Sequence, residues 1–600
     1  MNDITSFTEA FSNLILSASG FRTVFADNEE SFNKTVSFEK QLLCACIAKA
    51  FSEFYIHASS KKLLIATDAR PTGGVLTAIS SACFKKFGIS VCNIGIASAP
   101  EAMCFASLSD AIGGFCYISA SHNPIGHNGF KFGLKDGGVL DGETVGPIID
   151  RIRTIVESQS ELSELKNILT GLSFIDEKTE KVDINAKESS LLLYERFLIE
   201  TAYGADSDTR DAVINSLKIN PIGIVGELNG SARSVSADKS FFNAMSVKAK
   251  FYNDIPGQVV HPIVPEGENL SLCRELLEKA HAEDPSFLLG YVPDNDGDRG
   301  NIVYIDENSG KAHILTAQNV FALSVLSELL YLRYLGAMGL SSMGKTAVIV
   351  NGPTSMRVDD IAEMLDASVF RSEVGEANAV KLAKLKQKEG FHVRILGEGS
   401  NGGNITFPSA VRDPLNTVMS FIKLLRLNGD EQCHGLFRYW CGILKIPYTP
   451  FFGIADILST IPRYITTDAF SPVAKMQIRT LNHGILKDNY ELLLSQSDSP
   501  FPEIIYREFG NVTYEIINYE GVVTRVGRGN RSGQQRGGFK VLLRSTDIKP
   551  EHFGYLWMRG SGTEPVFRVL VDVRTDNREI EAELLAWHRE MIAKADEMSQ

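Results

Sequence analysis

Short apolar runs that end abruptly in polar, glycine-bearing loops constrain this chain more than any other feature of its sequence. LLIAT (63–67), SVCNI (90–94) and AIGGFCYIS (111–119) lie in the first region, separated by stretches of helical spacing such as Gly74 to Phe87. A second group holds PIGIVGE (221–227) and FLLGYV (287–292). Between them Leu272, Cys273, Leu276, Leu277 and Ala280 share one helical face. A third holds TAVIV (346–350) and HVRIL (392–396) with helical runs at Asp360–Asp366 and Ala377–Lys388. Buried strands separated by helices predict parallel sheets with right-handed crossovers. The last hundred residues differ. They alternate strands YEIIN (514–518), FKVLLR (539–544) and VFRVLVDV (566–573) before one terminal helix, an α+β pattern.

A chain of 600 residues has room for about three to five domains. The expected fold is α/β: three doubly-wound-like α/β domains over 1–205, 206–316 and 317–430, then a C-terminal α+β domain over 506–600. The stretch 431–505 reads as a linker or an insertion. Sixty Lys and Arg against 73 Asp and Glu leave a net charge of −13. Binding nucleic acid needs clustered positive charge, so no nucleic-acid partner is expected. Any anionic ligand needs a local basic pocket. Nine scattered cysteines with no CxxC spacing read as reduced thiols of a cytoplasmic protein. The acidic start MNDITSFTEAFSNLIL lacks the basic region of a signal peptide. Phe321 to Leu340, the greasiest segment, carries Glu328 and Arg333 and reads as a buried helix, so no membrane partner is expected.

Four loops carry chemistry. Ser119-Ala120-Ser121-His122-Asn123-Pro124 follows a buried strand, where α/β sheets place ligands. A serine there beside His122 suits a nucleophile or phosphate carrier, although the letters also fit a polar Asn-Pro turn. Asp294-Asn295-Asp296-Gly297-Asp298-Arg299 aims alternate carboxylates at one spot, a costly arrangement without a hard divalent cation such as Mg²⁺ or Ca²⁺. Counting from Asp294, an EF-hand needs Gly and Glu where Arg299 and Ile305 stand, so that motif fails. Gly397-Glu398-Gly399-Ser400-Asn401-Gly402-Gly403 offers hydroxyl-binding groups with close backbone approach, and fits a flexible connection equally. Arg559-Gly560-Ser561-Gly562-Thr563-Glu564-Pro565, with Arg568 beyond, describes a phosphate cradle. Two segments mislead. Gly339 to Thr346 fits GxxxxGK[ST], but a helix precedes it and a strand follows, the reverse of a P-loop. The Gly/Arg run Gly527 to Gly538 reads as an exposed hairpin loop between strands.

Taken together and in this order, the four loops resemble those of the α-D-phosphohexomutase superfamily: its T-A-S-H-N-P, D-x-D-G-D-R, G-E-x-S and R-x-S-G-T-E-P motifs. Ser19-Gly20-Phe21-Arg22, Asp68-Ala69-Arg70-Pro71-Thr72-Gly73 and Pro265 to Leu270 are further matches, so the resemblance spans about 19 to 575. It implies a four-domain, heart-shaped enzyme that interconverts hexose 1-phosphate and hexose 6-phosphate through a bisphosphorylated sugar. It assigns Ser121 as the phosphoserine, beside His122. Asp294, Asp296 and Asp298 become Mg²⁺ ligands, with the Ser121 phosphate completing the shell. Lys131, Arg22 and Arg299 fall at the transfer site. Glu398 and Ser400 hold sugar hydroxyls. Arg559, Ser561, Gly562, Thr563 and Arg568 grip the other phosphate. The partners implied are small-molecule sugar phosphates, with hexose 1,6-bisphosphate as activator or intermediate. No motif fixes an oligomeric state.

The chain departs from the family in places. Ser119 replaces Thr, and Asn295 a common Gly. GEGSNGG lacks the S-G-H and S-F-G endings, and Val374-Gly375-Glu376-Ala377-Asn378 lacks the His or Lys often found after that Gly. Glucose and mannose phosphates are the expected substrates. Glucosamine phosphate, with Glu376 as a carboxylate partner at C2, is the alternative, as is a non-catalytic sugar-phosphate binding protein of the same fold.

Overall fold

The computed structural model describes residues 2–17, 20–172, 181–204, 207–337, 339, 344–400, 402–429, 434–497, 500–532, 537–560 and 566–600. The chain forms two compact units: Met1–Ile314 with Pro408–Met419, and Leu315–Phe407 with Ser420–Gln600.

The first unit holds two mixed sheets. In the six-stranded one, Lys62–Thr67 lies between two parallel neighbours, the edge strand Val91–Ile96 and Ile112–Ile118. His127–Leu134, Gly20–Val24 and Ile15–Ser17 extend it antiparallel. All seven residues of Ile112–Ile118 are buried, which is why its sequence runs apolar without alternation. The helix Phe38–Ala58 covers one face and stacks Phe51 on Phe132 with ring centroids 3.9 Å apart. In the five-stranded sheet, Gly223–Glu227 lies parallel between Lys248–Tyr252 and Phe287–Pro293, with Gly300–Asp306 and Lys311–Ile314 antiparallel beyond. The helix Ser271–Glu283 buries Cys273, Leu277 and Ala280 against it, three of the five residues expected on its apolar face.

The second unit repeats the pattern once. Ala367–Ser372, Thr346–Asn351 and His392–Gly397 run parallel, closed by the antiparallel Asn404–Thr406. Its other sheet is antiparallel and is built on Val512–Glu520, Gly538–Ser545, His552–Gly560 and Val566–Val573. The class expected from sequence, three α/β sheets and an α+β one, is the class found. The stretch 431–505, which the sequence alone does not place, supplies two short strands, Ile465–Thr466 and Lys475–Gln477. Both pair with Val566–Val573.

The Gly/Arg run corrects an expectation. Val523–Val526 and Gly538–Ser545 do not pair with each other. Both pair with Val512–Glu520, so the run is a crossover rather than a hairpin loop. The Arg531 side chain is only 7% exposed and is held by Glu491 and Asp488. Residues 533–536 of that run lie outside the described ones.

Ala317–Ala337 is long and apolar enough to cross a membrane, yet 72% of its most apolar window is buried inside the protein. Glu328 on this helix accepts from Arg394 Nε at 2.8 Å and Ser420 Oγ at 2.9 Å, and pairs with Lys423. Burial disfavours its charge, but Lys423 and Arg394 outweigh that and hold its carboxyl below the usual range. If this helix is core, Leu326→Ala opens a cavity at a fully buried position and lowers unfolding free energy by about 2–5 kcal/mol. Urea denaturation measures it, and a loss below about 1 kcal/mol would contradict core placement.

Candidate active site

The polar loops sit at strand ends. Lys62–Thr67 and Ile112–Ile118 are parallel neighbours, so the loops 68–73 and 119–126 leave the same edge of the sheet. Arg70 binds them together. Its Nη2 donates to the carbonyls of Ser121 at 2.8 Å and Asn123 at 2.6 Å. Its Nη1 donates to the carbonyls of Pro124 and, at 3.0 Å, His127. Asp68 orients the guanidinium from behind, accepting from Arg70 Nε at 3.1 Å. Burial pushes the Asp68 carboxyl up, and Arg70 opposes it. Both side chains are fully buried.

The loop held this way places Ser121 at φ +53°, the left-handed region that a non-glycine residue enters at a cost of about 1–3 kcal/mol. Ser119 Oγ accepts from Ser121 N at 2.8 Å and fixes the turn. Ser121 Oγ donates to Asp294 Oδ2 at 2.8 Å and lies 3.5 Å from His122 Nδ1. The sequence loops 119–122 and 294–299 therefore meet.

Asp294, Asp296 and Asp298 leave the end of Phe287–Pro293, and each offers an oxygen within 4.8 Å of the others. They are the only group of this kind among the described residues, and all three are buried. Gly297 turns the loop at φ +70°, and a Cβ there would meet Arg233 Cδ at 2.4 Å. Lys131 Nζ donates to Asp296 Oδ2 at 2.6 Å and Asp298 Oδ2 at 3.1 Å. Burial works against its ammonium, but Asp296 and Asp298 win and raise its pKa above the lysine value. Asp298 is drawn well below the carboxylate range: burial opposes its charge, and Lys131, Arg412 and Arg299 overcome that. Asp294 goes the other way, raised by burial and by its two acidic neighbours. Burial pushes the His122 imidazole well below the usual histidine range, with Arg299 and Arg22 adding to the effect.

The donor set fits a hard divalent cation. It has three buried carboxylates, and Asp296 Oδ1 makes no hydrogen bond. Arg299 N donates to Asp294 Oδ1 at 3.2 Å, and its Nε lies 3.9 Å from Asp298 Oδ1. Arg22 is half-buried, and its pKa is lowered by loss of solvent and then by Arg299, while Asp296 and Asp298 oppose the shift. Ser121, His122, Lys131, Arg22, Arg299 and the three aspartates thus converge in one unit.

The other named residues lie in the second unit. Glu398 follows the strand His392–Gly397, and its Oε1 accepts from Asn351 Nδ2 at 3.0 Å and Gly375 N at 2.7 Å. Gly399 N donates to Thr354 Oγ1 at 3.0 Å, and Ser400 is buried beside it. Glu373 Oε1 pairs with Arg559 Nε at 3.3 Å. Arg559 and Arg568 are cross-strand partners, and Arg568 Nη1 donates to Ala469 O at 3.1 Å. Ser561, Gly562 and Thr563 lie outside the described residues.

Two site residues carry no role in the sequence reading. Arg70 lies in the quoted D-A-R-P-T-G match directly after a buried strand, the same signal as the other loops. Arg412, 3.5 Å from Asp298 Oδ1, had no comparable signal.

Residues 19–159 match the family model of phosphoglucomutase/phosphomannomutase, alpha/beta/alpha domain I. A phosphoglucosamine mutase of Thermoanaerobacter pseudethanolicus is 32% identical over 157 residues, 24% of this chain and 32% of that protein. One from Natranaerobius thermophilus is 39% identical over 90 residues, 15% of this chain and 20% of that protein. The matches to these curated relatives thus span about a third of their length or less. Over nearly the full chain, the fold is that of a phosphoglucomutase/phosphomannomutase family protein from Burkholderia thailandensis. The TM-score is 0.60 at 15% identity, covering 97% of this chain and 98% of that one. Parafusin, a phosphoglucomutase from Paramecium solved in an open form, gives 0.60 at 14%, covering 98% and 95%.

Arg70→Ala removes one partner of a buried ion pair and should cost about 3–5 kcal/mol of stability. Amide exchange should quicken selectively at 121–127. Arg70→Lys should not rescue it, because an ammonium cannot span four carbonyls. Unchanged exchange in the alanine variant would show that the loop holds itself.

Proposed function

We propose that this chain, whose residues 19–159 are domain I of the phosphoglucomutase/phosphomannomutase family and whose fold is that of the α-D-phosphohexomutase superfamily, is a phosphohexomutase. It would interconvert hexose 1-phosphate and hexose 6-phosphate through a phosphoserine and a bisphosphorylated sugar. The observation that carries the reading is Ser121 Oγ hydrogen-bonded to the first of three clustered, buried aspartates.

Phosphoryl transfer needs positioning and charge neutralisation more than covalent machinery. Asp294, Asp296 and Asp298 would hold Mg²⁺, which when bound supplies positive charge next to the phosphoryl oxygens. The proton that Ser121 Oγ directs at Asp294 Oδ2 is released as the serine becomes phosphorylated, and the departing sugar oxygen gains one. Lys131 and the guanidiniums of Arg22 and Arg299 oppose the negative charge of the moving group. The buried position of Ser121 excludes water, which would otherwise hydrolyse the phosphoserine. Glu398 and Ser400 would receive sugar hydroxyls, and Arg559 and Arg568 the non-reacting phosphate, with Ser561, Gly562 and Thr563.

Glucose and mannose phosphates are the proposed substrates, since nothing identified around Glu398 addresses C2, where the two sugars differ. Glucosamine phosphate is the second reading. It is favoured by Glu376, whose neighbour Gly375 donates its N–H to Glu398, and by the names of the relatives above.

Ser121→Ala should cut kcat by about three orders of magnitude or more without lowering the melting temperature. EDTA should abolish turnover, Mg²⁺ should restore it, and Asp296→Asn should weaken metal binding by about 100-fold or more. Turnover that survives prolonged chelation would refute the metal's role. With the three 1-phosphates, kcat/KM should differ between glucose and mannose by no more than about two orders of magnitude. A glucosamine preference that disappears in Glu376→Gln would replace the glucose/mannose assignment.

A further inference from the structure

Arg412 lies against the aspartate loop, although it is far in sequence from the residues around it. It is 5% exposed, and its Nη2 lies 3.5 Å from Asp298 Oδ1. Arg299 Nε lies 3.9 Å from the same Asp298 Oδ1, so two guanidiniums face one carboxylate of the aspartate loop, the loop whose Asp294 accepts from Ser121.

Its placement is built rather than incidental. Pro408–Met419 packs with the first unit although the chain on either side of it belongs to the second. The next residue, Asp413, anchors the segment. Its Oδ2 accepts from Tyr194 OH at 2.6 Å, and its Oδ1 lies 3.3 Å from Arg233 Nη1. Arg233 is fully buried. It pairs with Asp238 at 2.9 Å and lies directly under Gly297 of the aspartate loop, where a side chain would collide with it. Leu415 N donates to Asp413 Oδ1 at 3.0 Å and fixes the carboxylate from its own chain. The Arg233–Asp413 contact ties Arg412 to the same scaffold that supports the aspartate loop, so the guanidinium and the three carboxylates share one rigid base.

We infer that Arg412 is a further catalytic residue, whose guanidinium contacts the phosphoryl group as it moves to and from Ser121, and that Asp413 and Arg233 are its positioning residues. This rests on the mutase reading above. In the step concerned, the bond from phosphorus to the sugar oxygen breaks and the bond from phosphorus to Ser121 Oγ forms. The serine loses its proton as the new bond forms, and the departing sugar oxygen gains one. Negative charge spreads over the three non-bridging oxygens during transfer, and a forked guanidinium is suited to bind them. A residue that only balanced Asp298 would act on metal affinity instead.

The test uses the full-length protein, dephosphorylated, with Arg412→Gln and Arg412→Lys beside wild type. Ser121 phosphorylation by glucose 1,6-bisphosphate is followed in a single turnover, and Mn²⁺ binding is followed separately by paramagnetic resonance. Arg412→Gln should slow phosphorylation by about 100-fold, the effect of removing one preorganised donor. Arg412→Lys should recover part of that rate at most, because it keeps the charge and loses the fork. Mn²⁺ affinity should be unchanged or tighter, since a cation beside Asp298 has been removed. Both variants phosphorylating at the wild-type rate would overturn the inference. So would a loss of Mn²⁺ affinity in step with the rate, which would make Arg412 a support of the metal loop. Wild type taking up no phosphate would instead sink the mutase reading itself.

Discussion

Three carboxylates buried within 4.8 Å of one another are the constraint around which the first unit is organised. Like charges at that separation, out of water, strongly oppose being ionised together. The protein meets this with Lys131 between Asp296 and Asp298, and with Arg412 and Arg299 against Asp298. The charge is distributed unevenly. Asp298 is drawn down by its cations, while Asp294 is raised by burial and by its two acidic neighbours and accepts from the Ser121 hydroxyl. A divalent cation would complete the balance from the side where Asp296 Oδ1 has no hydrogen bond.

The same constraint accounts for rigidity nearby. Carboxylates meeting a serine in another loop must be placed to within fractions of an ångström, and neither loop is regular secondary structure. Arg70 fixes the serine loop through four backbone carbonyls. Arg233, Asn295 and Asp296 fix the aspartate loop, with Ala232 N donating to Asn295 O at 2.9 Å and Ala99 N to Asp296 O at 2.8 Å. Buried charge thus serves geometry as well as chemistry, and the strained φ of Ser121 is sustained by this surrounding structure.

Much of this was legible in the sequence because the physics is local. Fully buried strands are apolar throughout, so Ile112–Ile118 and Phe287–Pro293 announce themselves and mark where the loops begin. The D-x-D-G-D spacing carries its own electrostatic argument. What stayed hidden depends on contacts remote in sequence. Arg412 reaches Asp298 across 114 positions, and no periodicity signals it. A crossover and a hairpin share the same glycines, so the Gly/Arg run reads as a hairpin loop, and only the pairing of both flanking strands to Val512–Glu520 separates the two. The stretch 431–505 shows helical runs, now Leu436–Leu444, Ile454–Thr460 and His483–Leu494, but strands as short as Ile465–Thr466 have too few residues to show alternation, so nothing local ties it to the last sheet.

The central claim is that the buried aspartates gather a divalent ion against the serine hydroxyl. Crystals soaked in Mn²⁺ and measured for anomalous scattering test it directly. The account predicts one strong peak bounded by Asp294, Asp296 and Asp298 and within coordination reach of Ser121 Oγ. A crystal with no peak there, and with Lys131 still bridging Asp296 and Asp298 at saturating Mn²⁺, would contradict it.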